Sequence, residues 1–248
     1  MLRFFGNHLQ KSQDLRFVTI NGHRFKRLIL RDSYMAEKIE ENLGKFGPSD
    51  FFPPLVTRFE NEVWVEFVDG APADAIDEAR IGQFAAFYRA LYVRQPQLLD
   101  LGQTVFADRL QQDLRFLNQV GVLSGGAHRD LGSVAREVAP DAVWVGFDYV
   151  DPVLKNFIER ADGRGLCAID VESLVDGQLI GTGVAKACVH WLEPHRAEFC
   201  RRIKGLDPPD FLGYFPFVEL CLIARWSKTK FLTGKFKFVD PKLFDRFL

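Results

Sequence analysis

Cysteine is scarce in this chain, and the few present lie where neither a disulfide framework nor a zinc site would put them. Cys167, Cys188, Cys200 and Cys221 show no Cys-x-x-Cys spacing, so a metal-stapled or disulfide-stapled small domain is set aside. Cys188 and Cys221 sit inside apolar segments and read as core. Methionine is nearly missing: 2 residues stand against 24 Phe, which predicts a core of rigid rings rather than adaptable thioethers. No apolar run approaches the roughly 20 residues of a membrane span, and Met1 to Asp14 holds no signal-peptide-like stretch. The expectation is a cytoplasmic protein. An excess of one charge is absent too, with 32 Lys and Arg against 33 Asp and Glu, a net of −1. No duplex nucleic acid is therefore expected as a partner. What remains, 248 residues that are 47% hydrophobic and 26% charged, is an ordinary globular chain of one large or two small units.

The opening stretch reads as sheet with one helix. Leu15 to Ile20 alternates, Asn21-Gly22 is a strong hairpin signal, and His23 to Leu30 is a second strand. Asp32 or Ser33 caps a helix through Ala36, Ile39 and Leu43 that should end near Gly44. Leu55 to Phe59 and Val63 to Val68 follow as strands around Glu60-Asn61-Glu62. Beyond Asp69-Gly70 the apolar period becomes helical, in Ala73 to Val93 and Phe106 to Val120. A short strand, Val143 to Phe147, and a hairpin of Phe157-Ile158 with Leu166 to Val171 around Asp162-Gly163 come next. Helices return at Val184 to Leu192, Arg196 to Ile203 and Phe215 to Trp226. Residues 1–69 thus form a β-rich lobe and residues 70–248 a mainly helical one, an α+β organisation.

Chemistry concentrates in Tyr149-Val150-Asp151-Pro152-Val153-Leu154-Lys155-Asn156 and, after the hairpin, Ile169-Asp170-Val171-Glu172. An Asp, an Asn five residues on, then an Asp behind apolar strand residues is the order of a kinase catalytic loop and its metal-binding carboxylate. Phosphoryl transfer needs these types: one carboxylate to orient an acceptor hydroxyl, and an amide oxygen with a second carboxylate for magnesium. The bare spacing is common, since Asp113 and Asn118 repeat it, but that pair lies on an amphipathic helix with no strand-borne Asp behind it. Asp148 is disfavoured as the first carboxylate because Val153 stands where its Asn should be.

On these residues the chain resembles the protein-kinase-like superfamily, in its small-molecule branch of aminoglycoside-phosphotransferase-like, choline-kinase-like and lipopolysaccharide-kinase-like enzymes. The resemblance implies a two-lobed protein-kinase-like fold with ATP in the cleft. It implies Asp151 as catalytic carboxylate and Asn156 and Asp170 as ligands of Mg2+. For the phosphates it points to Lys26, in step with Leu28 and Leu30, with Glu40 as the helix carboxylate that holds it and Glu37 as the spare. Val63-Trp64-Val65-Glu66-Phe67-Val68 resembles the hinge strand, so the backbone of Glu66 to Val68 would bond adenine, with Phe67 or Val68 against its ring.

The departures are specific. Gly6 stands alone in Phe5-Gly6-Asn7-His8, so no glycine-rich loop covers the phosphates. Tyr149 replaces the usual His before the catalytic Asp and reads as structural. Val153 stands where protein kinases place a Lys and small-molecule kinases often a His, which removes a phosphate contact. Lys155 is nearby but one face out. His190 and His195 lack metal-ligand spacing. Ser124-Gly125-Gly126 reads as a helix-ending loop rather than a phosphate loop. Arg225 to Leu248 carries seven Lys or Arg against two Asp, a net of +5, interleaved with aromatics. It could meet anionic headgroups at the inner membrane surface, a phosphorylated glycolipid acceptor or single-stranded nucleic acid, or close the fold with its rings inward and its lysines in water. The expectation is an ATP- and magnesium-dependent phosphotransferase acting on a hydroxyl of a small molecule or glycolipid sugar. The alternative is a kinase-like nucleotide-binding or scaffold protein without turnover.

Overall fold

Asn21 and Gly22 take positive φ, 51° and 81°, the left-handed pair that a two-residue hairpin turn requires. They join β1 (Asp14–Ile20) to β2 (His23–Ile29) with Phe17 opposite Lys26. The computed structural model describes residues 14–74, 76–205 and 209–248; Gly6 lies outside them. Asp32 caps α1 (Ser33–Phe46) by accepting from Met35 N–H at 2.9 Å. The helix passes through Gly44 and stops two residues later than the sequence suggested, because Gly47, at φ 81°, supplies the left-handed exit. β3 (Leu55–Phe59) and β4 (Glu62–Glu66) complete an antiparallel sheet of order β1-β2-β4-β3. Its alternation buries Lys26, Leu28, Val63 and Val65, and α1 packs on β3 and β4 through Ala36, Ile39, Leu43 and Phe46.

The helical lobe opens with β5 (Gly70–Pro72), α2 (Glu78–Tyr92), β6 (Gln97–Asp100) and α3 (Phe106–Gln119). Next comes α4 (Gly125–Glu137), which corrects the reading of Ser124-Gly125-Gly126. Ser124 does not end a helix but starts one, its hydroxyl accepting from Ala127 N–H at 3.1 Å. β7 (Ala142–Tyr149) is flanked by β6 and by β10 (Leu174–Leu179), while β8 (Phe157–Arg160) and β9 (Leu166–Ala168) form the expected hairpin with β5 along its edge. Among the described residues three α-helices follow, α5 (Thr182–Ala187), which runs into a π-helical turn at Cys188–Leu192, α6 (Arg196–Ile203) and α7 (Phe215–Leu232), and short 3-10 turns at Phe236–Phe238 and Pro241–Phe247 come after them.

The two lobes share one core. Phe46 at the end of α1 meets Phe52 and Phe147 edge-on at 5.2 and 5.9 Å. Asn42 donates to Leu174 O at 2.9 Å, and Lys45 pairs with Asp176 at 3.1 Å, so α1 is fastened to β10 as well as to its own sheet.

Asp113, the decoy of the Asp-x4-Asn pattern, is a buried tie between α3 and α7. Its carboxylate, only 1% exposed, holds Lys228 Nζ and Arg225 Nε at 2.9 Å each. Asp113→Ala strands two partly buried cations, and chemical denaturation should show a loss of about 3 kcal/mol.

Candidate active site

β7 delivers the chain into the loop through a buried carboxylate. Asp148 is fully enclosed; it accepts from Tyr149 N–H at 2.7 Å, from Gly183 N–H at 3.0 Å and from the Tyr92 hydroxyl at 3.3 Å. Burial raises its pKa to about 7 against the opposing effect of those bonds. Tyr149 is core, its ring packed among Phe52, Phe87 and Phe157.

The loop then folds back on itself. Asn156 Nδ2 donates to Asp151 O at 2.9 Å and to Asp170 Oδ2 at 3.3 Å, and Ile169 N–H reaches Asn156 O at 2.8 Å. The Ser173 hydroxyl donates to the same Asp170 Oδ2 at 2.9 Å. Asp151, Asn156 and Asp170 are thus interlocked across the hairpin, with Asp151 joined through its backbone oxygen. Because the Asn156 amide nitrogen is spent on this network, its Oδ1 and Asp170 Oδ1 remain, among the described residues, as two hard oxygen donors. That donor set suits magnesium.

Beside this loop lies a cavity of about 240 Å3, lined by Leu15, Phe17, Lys26, Pro53, Glu66, Phe67, Val68, Ile158 and Ile169. Lys26 Nζ donates to Ile169 O at 2.7 Å, one residue before Asp170, so the cavity reaches from the end of β4 to the residue next to the Asp170 carboxylate. Phe67 is held by Arg24, whose guanidinium lies 3.6 Å from the ring centre, and by Phe17 at 5.5 Å. Glu66 N–H is bonded to Pro54 O and Phe67 N–H to Arg24 O. Val68 N–H has no such bond among the described residues, and Val68 lines the cavity.

Neither protein-family models nor curated protein sequences give a match. Solved structures do. A choline kinase from Streptococcus pneumoniae superposes with a TM-score of 0.66 at 11% identity, over 94% of this chain and 87% of that one. A type I macrolide 2'-phosphotransferase gives 0.61 at 12% identity, over 97% and 91%. An aminoglycoside phosphotransferase, solved as a ternary complex with AMP-PNP and hygromycin B, gives 0.58 at 14% identity, over 95% and 93%. The chain has the protein-kinase-like fold of small-molecule kinases.

Within that kinase-like fold one expected contact is not made. Glu40 does not pair with Lys26; its carboxylate accepts from Arg58 Nε on β3 at 2.5 Å. The reason is the seat of α1, which lies over β3 and β4, so Glu40 meets the edge strand rather than β2. Glu37 is exposed. A contact that sequence reasoning missed replaces it in interest. Lys186 of α5 pairs with Asp151 Oδ1 at 2.5 Å, the two side chains 16% and 19% exposed. No local motif marks Lys186, because the contact depends on where α5 docks.

Cys188, Glu193 and Glu219 place their ligand atoms within 4.8 Å of one another. Arg196 and Arg246 already occupy the Glu219 carboxylate, so that cluster is an ion-pair network rather than a metal site. Among the described residues no helix is long and apolar enough to cross a membrane.

Proposed function

We propose that this chain is an ATP- and magnesium-dependent phosphotransferase that phosphorylates a hydroxyl of a small molecule. The observation that carries the reading is the interlocked Asp151, Asn156 and Asp170, joined to the cavity through Ile169, which lines it and accepts from Lys26. The cavity between Leu15 and Phe17 on one side and Ile158 and Ile169 on the other would take the adenine. Val68 N–H would donate to the base, the backbone of Glu66 and Phe67 would flank it, and Phe67 would border its ring. Lys26 would exchange Ile169 O for nucleotide phosphate oxygens. Glu40 then acts at one remove, fixing α1 to β3 through Arg58.

Asn156 Oδ1 and an oxygen of Asp170 would hold magnesium, whose contribution when bound is to neutralise charge on the phosphates. Asp151 would accept the proton of the acceptor hydroxyl as its oxygen bonds to the γ-phosphorus. The bond from that phosphorus to ADP breaks, and its electron pair leaves with ADP. Most of the rate would come from positioning and from electrostatic stabilisation.

The structural relatives named above include a choline kinase, a macrolide phosphotransferase and an aminoglycoside phosphotransferase bound to hygromycin B, so these acceptor classes are the first to screen. A glycolipid acceptor would lie against the outward part of the C-terminal segment. Arg225 and Lys228 are engaged by Asp113, and Arg246 by Glu219, which leaves exposed Lys235, Lys237 and Lys242 beside Phe236 and Phe238 for a membrane surface.

Thermal unfolding with and without ATP and magnesium tests the reading. At a nucleotide concentration of 100 Kd, stabilisation of about 2.7 kcal/mol is expected. Asp170→Ala should remove the magnesium-dependent part. A wild-type protein whose unfolding ignores ATP and magnesium together contradicts the proposal.

A further inference from the structure

A transferring phosphoryl group carries charge on three oxygens, and a cation beside it is a main source of stabilisation. The loop itself offers none at the usual place. Val153 is uncharged, and Lys155 is exposed. A cation nevertheless reaches the loop from elsewhere in the chain.

Lys186 is directed there by two fastenings of its own segment. At the start of α5, Gly183 N–H is bonded to Asp148, and a Cβ on Gly183 would sit 2.3 Å from Tyr149 O and 2.5 Å from Asp148 Oδ1. Only glycine lets α5 begin so close to the loop. At the other end, in the π-helical turn, Trp191 Nε1 donates to Pro152 O at 2.6 Å. The segment therefore clasps residues 148–152 at both ends, with Lys186 between and its ammonium on Asp151 Oδ1. An ammonium has three N–H donors, and one bond to Asp151 leaves two.

We propose that Lys186 supplies from α5 the γ-phosphate contact that the loop lacks at Val153, an inference that rests on the phosphotransferase reading above. Lys186 forms no covalent bond. It keeps one N–H on Asp151 and directs the others to the γ-phosphoryl oxygens while the acceptor oxygen bonds to phosphorus, the bond to ADP breaks with its electron pair, and the acceptor proton passes to Asp151. Held on both partners, Lys186 couples the position of the base to that of the transferred group.

The test is the affinity for AMP-PNP against that for ADP, each with magnesium, by calorimetry. Lys186→Met should weaken AMP-PNP by about tenfold or more, the size of a lost charge-assisted hydrogen bond, and leave ADP unchanged. Val153→Lys added to that variant should restore the preference for AMP-PNP. Lys186→Gln, closer in polarity, serves if the methionine variant does not fold. Equal loss for both nucleotides, or no loss for either, overturns the role of Lys186 alone. If the wild-type protein binds neither nucleotide, the phosphotransferase reading falls, and this inference with it.

Discussion

Asp151→Asn should lower phosphoryl transfer about 10³-fold, the range expected when a positioned proton acceptor is lost, without weakening nucleotide binding. The substitution isolates one property. An amide has nearly the shape of the carboxylate and can still accept from Lys186 through its oxygen, and the backbone oxygen that Asn156 Nδ2 reaches is untouched. What disappears is the capacity to take a proton. Steady-state kinetics with an identified acceptor should therefore show a collapsed kcat beside an unchanged KM for ATP. If kcat survives, Asp151 is not the base. Asp148, the other carboxylate of the segment, could not easily replace it, because it is wholly enclosed and occupied by Tyr149, Gly183 and Tyr92.

Asp148 leads to the second large effect, on stability rather than rate. Its pKa in the folded chain is about 7, raised by burial from an ordinary 3.8. A raised acid favours folding most when both states hold the proton, below the unfolded pKa. As pH rises, the unfolded chain releases its proton first, and that contribution is lost until the folded group ionises too. Over the interval from about pH 4 to 7 the loss amounts to about 4 kcal/mol, from 1.36 kcal/mol per pKa unit. Asp148→Asn removes the titration but not the side-chain oxygen. The stability of wild type minus that of the variant, from urea titrations, should therefore fall across this interval and then level. A difference that stays flat with pH would mean that Asp148 is already ionised in the folded chain.

Where the sequence was legible, the determinants were local. Asn21-Gly22 specifies a turn by backbone conformation alone, and the alternation of Lys26, Leu28, Val63 and Val65 tells which face of the sheet is buried. The loop stood out in the sequence because Asp151, Asn156 and Asp170 are types that phosphoryl chemistry needs in that order. The structure brings the three together. β6 and β10 were missed for opposite reasons: one is four residues long behind a proline, and the other carries Asp176-Gly177 and a register shift between Val175 and Gln178. α4 was hidden because Gly125 and Gly126 look like a loop, although Ser124 caps a helix there. The Lys26–Glu40 pair was chosen from helix phase alone. Phase says which residues face inward; it does not say over which strands a helix sits. Lys186 lay beyond sequence reasoning for the same reason, since its partner is 35 residues away and the contact exists only once α5 is docked.

The fastening of α1 has a mechanical consequence. A helix held by Phe46 in the shared core and by Asn42 and Lys45 on β10 cannot swing outward without opening buried aromatic contacts between the lobes. Displacing that helix is therefore costly here. Among the described residues the β1–β2 hairpin has no such fastening to the other lobe in its outer strand, where Leu15, Phe17 and Ile20 are 42%, 62% and 49% exposed. On the proposed reading, any closing over a nucleotide would fall to that hairpin rather than to α1, with Phe17 already against Phe67 at the cavity wall.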